Sequence, residues 1–392
     1  MMHLFINSLA ASAGGGLTYI RNVIPHLAGR PGLRVTVALG SNLREEFRGC
    51  TDVDFLEMEV PSARRYWYEQ SMLPGLIRRC QADVLLSAGN FALRRSPVPQ
   101  ILLSRNSIYT SADYYRDLRS RHEYRLWLDT HIRSVLAKRS IHWADATVAP
   151  SQAFAAELQR WTGAPVQTIH HGFDHEAFER DSSSLAAEVE RKLREAEGSF
   201  KLLFVSHYNY YRNFETLIRA LPLLRGRLTN RPVKLLLTCK LIAGQNPGAY
   251  NPEAAAQLVK KLDVSDMLVE LGAIPYSQLH QLYRRADVYV TSAYTETFAH
   301  PLVEAMASGL PVAASDLAVH REICGDAAIY FPRFSSENLA DRVAQLAGSP
   351  ETRRSMAALG LQRSHQFSWS DHVDRIVDLA QKLIGQTRVL VR

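Results

Sequence analysis

The sequence predicts an α/β protein made of two doubly wound domains in tandem, facing a cleft. Three observations predict it. The chain has 392 residues, more than one hydrophobic core usually supports. Short apolar runs alternate with longer amphipathic ones, the pattern of β-α-β units around a parallel sheet. That alternation comes in two series separated by a polar, highly charged stretch at 181–199. With 46% hydrophobic and 22% charged residues, 21 Gly and 17 Pro, the composition is globular and excludes a disordered, collagen-like or coiled-coil chain.

The first series opens with a strand at 4–6, a helix at about 16–27 and a strand at 35–39, and continues with apolar runs at 84–87 and 101–104. The second begins with a strand at 201–205 and continues through 233–238, 267–271, 288–292 and 312–315. This places a first domain at 1–180 and a second at 181–366, with a final helix at about 367–392 packing back on the first. Two such sheets in tandem set their carboxyl edges toward a cleft, and doubly wound sheets bind ligands at those edges. The strand-to-helix loops are therefore the places to look for function.

The formal charge is +7, and Arg supplies 38 of the 46 basic residues. From Arg64 to Arg139 there are 14 basic residues against six acidic ones, so the surplus is local. A basic face of this kind can meet nucleic acid, phosphorylated substrates, an anionic membrane surface or only solvent. Cys50, Cys80, Cys239 and Cys324 show no C-x-x-C spacing, which fits reduced thiols better than disulfides or a zinc site. No run approaches the ~18–20 apolar residues that span a bilayer, and the amino terminus lacks the basic region of a signal peptide. The expected localisation is cytoplasmic, with membrane association open through the basic region.

The most informative segment runs from Thr291 to Val312, T-S-A-Y-T-E-T-F-A-H-P-L-V-E-A-M-A-S-G-L-P-V. A strand leads into it, Pro301 suits the first turn of a helix, and Gly309 followed by Pro311 ends that helix after about two turns. The backbone N–H groups from Thr297 through Phe298 and Ala299 to His300 then point out of a helix start at the sheet edge, where they favour an anion such as diphosphate. Glu304 lies one turn into the helix, placed to accept hydrogen bonds from vicinal ribose hydroxyls, while Glu296 in the loop can reach a neighbouring sugar ring. By spacing alone these glutamates also fit a dipole-favoured helix carboxylate and a surface loop carboxylate.

The surrounding string decides between these. Glu296 and Glu304, with Ala305-Met306-Ala307-Ser308-Gly309-Leu310-Pro311-Val312 and Ser315, resemble the E-x7-E signature of retaining GT-B glycosyltransferases of family 4, a fold of two Rossmann-like domains. The resemblance extends through Arg321–Phe331 and to Phe367-Ser368-Trp369 before the final helix. It implies that Glu296 contacts the donor sugar, Glu304 holds the nucleotide ribose, and the amides between them hold phosphate. In this family an Arg and a Lys after the first strand of the second domain hold the leaving diphosphate. By position Arg212 stands for that Lys and His207 for that Arg, with Ser206 where Gly is common. Arg212 is a bidentate phosphate fork, whereas neutral His207 offers one donor and no charge. Lys240 is a candidate third cation as well as an ordinary surface lysine, and Gly272-Ala273-Ile274 resembles the loop bordering the nucleobase.

In the first domain Ser12-Ala13-Gly14-Gly15-Gly16 follows the first strand and enters a helix, so Gly15 and Gly16 let the backbone approach a phosphate or form a plain flexible turn. A nicotinamide cofactor fits poorly, because the third glycine of G-x-G-x-x-G would fall at Tyr19. Where many relatives carry a His-Asp pair this chain has Ser104-Arg105-Asn106-Ser107, leaving Arg105 and Asn106 as candidate acceptor-sugar contacts. His170-His171-Gly172-Phe173-Asp174 occupies the usual interdomain position without a ligand cluster for a metal. Two basic segments interleave with aromatics, Arg64-Arg65-Tyr66-Trp67-Tyr68 and Arg119 to Trp127, which suits sugar faces, a membrane interface or ordinary helix packing.

The sequence thus points to a retaining, metal-independent hexosyltransferase without cofactor. Its partners are a nucleotide diphosphate-sugar donor and a carbohydrate or lipid-linked acceptor, with peripheral contact to an anionic membrane as one outlet for the basic face and no nucleic acid expected. A nucleotide-sugar epimerase or hydrolase shares the architecture, and a basic nucleic-acid-binding protein is the reading from another class.

Overall fold

The computed structural model describes residues 1–11, 14–61, 63–245, 248 and 250–390, and it divides into two compact units. Unit 1 comprises Met1–Thr110, His122–Gly172 and Ser368–Arg392, and unit 2 comprises Ser111–Arg121 and Phe173–Phe367. Each is a Rossmann-like doubly wound parallel sheet.

In unit 1 seven strands run β1 Met2–Asn7, β2 Leu33–Gly40, β3 Val53–Met58, β4 Val84–Ser87, β5 Gln100–Leu103, β6 Ala146–Ala149 and β7 Gln167–Thr168. Their order is β3-β2-β1-β4-β5-β6-β7, every pair parallel. Side chains alternate across a strand, so β1 sends Leu4 and Ile6 to one face and Phe5 to the other. Leu4 and Ile6 pack with Tyr19, Val23 and Ile24 of the helix Gly14–Leu27, and with Trp369, Val373 and Ile376 of the helix Trp369–Leu390. Phe5 packs with Leu73 and Ile77 of the helix Arg65–Arg79. Strands covered on both faces read as apolar runs, as β4 and β5 do.

Unit 2 contains β8 Phe200–Phe204, β9 Val233–Leu237, β10 Leu268–Glu270, β11 Val288–Thr291, β12 Val312–Ser315 and β13 Ala328–Phe331, in the parallel order β10-β9-β8-β11-β12-β13. Strand order reverses between β8 and β11, so the loops that follow these two strands diverge at a crevice.

The division differs in two places from domains cut at residue 180. The helix Ala112–Ser120, early in the chain, belongs to unit 2. Its carboxylates find their partners there: Asp113 pairs with Arg333 at 2.8 Å, and Asp117 accepts from the Tyr294 hydroxyl at 2.9 Å. Arg121, just past the helix, bonds Glu215 at 2.9 Å and lies 4.3 Å over the Tyr210 ring. The stretch from Phe173 to Arg180 also joins unit 2, because Phe178 is buried among the rings of Tyr276, His280 and Tyr283. The polar stretch at 181–199 that separates the two series contributes the helix Ala187–Glu195, whose buried residues are Val189 and Leu193.

Gly172 is required by close approach within unit 1. A Cβ there would stand 2.0 Å from the Trp369 backbone nitrogen, which cannot yield as a flexible side chain could. Gly172→Ala is expected to destabilise the protein by at least ~1–3 kcal/mol, the usual range for overpacking. Urea denaturation checks this, and an unchanged midpoint would contradict the contact.

Candidate functional site

The loops after β8 and β11 form the centre of the site. After β8 the chain turns through Tyr210–Arg212, and Asn213 takes a left-handed conformation (φ 55°) that starts the helix Phe214–Arg227. An Asn tolerates that region better than a branched residue does. Its amide donates to the Ser292 carbonyl at 3.1 Å and the Arg333 carbonyl at 2.7 Å, and the Ser292 hydroxyl returns a bond to the Asn213 carbonyl at 2.8 Å. The Tyr294 amide donates to the Tyr211 carbonyl at 3.0 Å. The two loops are thereby sewn together, and Arg212 faces Glu296.

The Arg212 guanidinium donates through Nη1 to Glu296 Oε2 in a largely buried ion pair, and the Thr297 amide donates to Glu296 Oε1 at 3.0 Å. Burial alone would push the Glu296 carboxyl up, but the Arg212 charge and the Thr297 N–H outweigh it and hold the carboxyl below its usual value. Arg212 Nε is buried and unpartnered. His207 is held below the usual histidine value by desolvation and by the Arg212 charge, so its imidazole is neutral at pH 7 and contributes no cation there.

The helix His300–Ala307 begins after Ala299, which is left-handed (φ 64°), with Pro301 in its first turn. Glu304 is 3% exposed, and its partner is the Tyr283 hydroxyl, donating at 2.7 Å. Burial pushes its carboxyl up to about 7, against the lowering effect of that bond. Thr297, Phe298 and Ala299 are all buried against the loop. The expected row of anion-binding amides is modified at Thr297, whose N–H is engaged by Glu296 itself.

Of the remaining candidates in unit 2, Lys240 packs over Gly272, where an added Cβ would lie 3.5 Å from Lys240 Cε, so Lys240 and the Gly272–Ile274 loop sit together past β9 and β10. In unit 1 Ser12 and Ala13 lie outside the described residues, while Gly15 and Gly16 open the first helix. Arg105 grips this turn: Nη1 donates to the Gly15 carbonyl at 2.7 Å, Nη2 to the Ala88 carbonyl at 2.5 Å, and the guanidinium lies 4.8 Å over the Tyr19 ring. Burial pushes Arg105 down to about 10. Asn106 caps a short turn by accepting from the Ile108 amide at 3.3 Å. Both side chains expected to meet an acceptor sugar therefore also hold their own unit's loops. The four cysteines are free thiols, and among the described residues no three His, Cys, Asp or Glu side chains gather as a metal site requires.

Sequence reasoning missed Tyr283, Asn213 and His320. Tyr283 lies in a helix of the preceding crossover, with no local signal linking it to Glu304. Asn213 had one available sign, a turn-forming residue directly before a helix. His320 is fully buried, its Nδ1 is 2.9 Å from the Ser315 carbonyl, and burial drives it down to about 4, so it is neutral beside the Arg212–Glu296 pair.

These carboxylates predict opposite pH responses. Glu304 is raised in the folded state, so its contribution to stability is complete below pH 4.5 and is lost as pH rises to about 7. Glu296 is lowered, so its contribution holds above pH 4.5 and fades as pH falls. Glu304→Gln, which keeps an acceptor for Tyr283, is expected to remove a loss of ~3 kcal/mol between pH 4.5 and 7. Urea unfolding of both proteins across that range measures it, and parallel curves would contradict the buried carboxyl.

Residues 186–363 match the family described as Glycosyl transferases group 1, and residues 13–177 match Glycosyltransferase Family 4. A D-inositol 3-phosphate glycosyltransferase of Kribbella flavida is 29% identical over 237 residues, 58% of this chain and 54% of that protein. Its counterpart in Nocardia farcinica is 27% identical over 252 residues, 63% of this chain and 54% of that protein. The chain thus spans about half the length of these curated relatives. A sucrose-phosphate synthase from Thermosynechococcus elongatus superposes with a TM-score of 0.77 at 18% identity, covering 98% of this chain and 100% of that one. The HepE protein of Anabaena in complex with UDP-glucose gives 0.72 at 15% identity, also covering 98% and 100%. At such identities these two share the fold.

Proposed function

The chain belongs to glycosyltransferase family 4, and on that premise we propose that it is a retaining, metal-independent hexosyltransferase. It moves a sugar from a nucleotide diphosphate donor to a carbohydrate or lipid-linked acceptor during glycan, polysaccharide or glycoconjugate synthesis. The observation carrying this reading is the buried Arg212–Glu296 pair, on the segment that also presents Glu304.

Breaking the glycosidic C1–O bond leaves its electron pair on the diphosphate, and stabilising that charge is the demanding part of the step. Arg212, whose Nε has no partner in its buried position, and the helix start at 298–300 supply that stabilisation. Glu296, ionised and oriented by Arg212 and Thr297, accepts hydrogen bonds from the donor sugar. Glu304 accepts from the ribose hydroxyls, which favours its ionised form. The acceptor hydroxyl attacks C1 from the face the diphosphate leaves, and its proton passes to the departing phosphate oxygen. No resident cofactor or metal is needed. UDP-glucose, the ligand named for the Anabaena neighbour, is the first donor to try, and a phosphorylated polyol, as in the names of the curated relatives, is the first acceptor.

Thermal-shift measurement with UDP, GDP and TDP identifies the base, since a ligand that binds only the native state raises the melting temperature. With the donor in hand, Arg212→Ala is expected to lower kcat by ~10²–10³, as for loss of an oxyanion donor. Glu304→Ala is expected to weaken nucleoside diphosphate binding by roughly tenfold or more, for the loss of hydrogen bonds to a charged group. Turnover near wild type in Arg212→Ala, with the fold intact by circular dichroism, would defeat the assignment. Full conversion of donor without any acceptor would replace transfer by epimerisation.

A further inference from the structure

The helix Tyr124–Trp143 in unit 1 is built inside out. The residues it buries are Thr130, Ser134, Ala137, Ser140 and Ile141, mostly small or polar. Tyr124, Leu128, Ile132 and Val135 recur at helical spacing on the outer side, with Leu128 53% and Ile132 54% exposed. A surface helix normally does the reverse, and a contiguous apolar stripe on a soluble face marks an interaction site. The stripe leads into a cavity of about 1110 Å³ that Ile132 shares with Trp67, itself 73% exposed. Arg65, Arg94, Arg95, Arg133 and Arg139 line that cavity, against one carboxylate, Glu69. Arg65 and Arg133 have carboxylate partners, Glu69 at 3.7 Å and Asp129 at 2.8 Å. Among the described residues no carboxylate pairs with Arg94, Arg95 or Arg139.

We propose that this face of unit 1 is a peripheral membrane site: the Tyr124–Val135 stripe and Trp67 enter the interfacial layer, and the arginine-lined cavity receives a phosphate-bearing lipid headgroup. An amphipathic surface with basic flanks and an aromatic anchor has the chemistry that binds anionic bilayers. A second copy of the chain is disfavoured by charge, since a symmetric contact would set this basic surface against itself. Nucleic acid would meet the arginines but leave Leu128, Ile132 and Val135 uncovered. The inference does not depend on the transferase reading, because it concerns binding in the absence of donor.

Co-sedimentation of the full chain with vesicles tests it. The protein is expected to pellet with phosphatidylcholine vesicles containing phosphatidylglycerol, and not with phosphatidylcholine alone. Arg94→Ala/Arg95→Ala/Arg139→Ala is expected to lower the partition coefficient by roughly a hundredfold, given the strength of basic residues near an anionic surface. Leu128→Asp/Ile132→Asp is expected to lower it at least tenfold while leaving the melting temperature unchanged, because both side chains are exposed. Failure to pellet with the anionic vesicles overturns the proposal, as does pelleting that neither variant reduces. Glycerol phosphate raising the melting temperature of wild type but not of the arginine variant, without vesicle binding, would assign the cavity to a soluble phosphate ester and reject the membrane. Dimerisation abolished by the aspartate variant, or RNA binding abolished by the arginine variant, again without vesicle binding, would reject it too.

Discussion

The buried pair of Arg212 and Glu296 is the constraint around which unit 2 is arranged. An ion pair removed from water is not a cheap source of stability, since desolvation offsets much of the attraction, and removing one partner strands a charge. The surrounding structure accordingly fixes both partners. Asn213 and Ser292 bond each other's backbones across the gap between the β8 and β11 loops, and Tyr294 and Tyr211 add a further bond. The reversal of strand order at β8 and β11 brings these loops to one edge, and the polar bonds then set their register.

The same segment holds two glutamates in different electrostatic states. Glu296 has a guanidinium and a backbone N–H and stays ionised. Glu304 accepts from the Tyr283 hydroxyl, and burial drives it toward its neutral form near pH 7. Sequence spacing makes them look alike, and the difference comes wholly from what lies opposite. A ligand that supplies hydroxyl donors to Glu304 repays its burial and draws it toward the carboxylate, so binding of such a ligand and loss of a proton are thermodynamically linked at this residue.

Much of the fold was legible because a parallel sheet covered on both faces needs continuous apolar strands, as at β8, β9, β11 and β12. The half-buried edge strand Val53–Met58 and the short Ala146–Ala149 escaped notice, one alternating and the other too small to stand out. The string from Glu296 to Val312 was legible because helix start, helix stop and both carboxylates fall within a single loop and helix. Tyr283 and the helix Ala112–Ser120 were not, since their roles come from long-range partners. Asp113 and Asp117 look like surface carboxylates until Arg333 and Tyr294 appear opposite them, some two hundred residues later in the chain.

The local excess of basic residues between Arg64 and Arg139 is several different things in three dimensions. Arg105 is an internal clasp on backbone carbonyls. Arg116 and Arg121 belong to unit 2 and answer carboxylates there. Arg65 and Arg133 are paired within unit 1. Arg94, Arg95 and Arg139, which have no carboxylate partner among the described residues, gather at one cavity beside a helix whose outer face carries Leu128, Ile132 and Val135. A charge count along a sequence weighs all of these equally. Sorting them by partner separates arginines that hold the protein together from those whose counter-charge must come from outside it, and places the latter where apolar side chains are also uncovered. An anionic surface with an apolar layer beneath it would satisfy both at once.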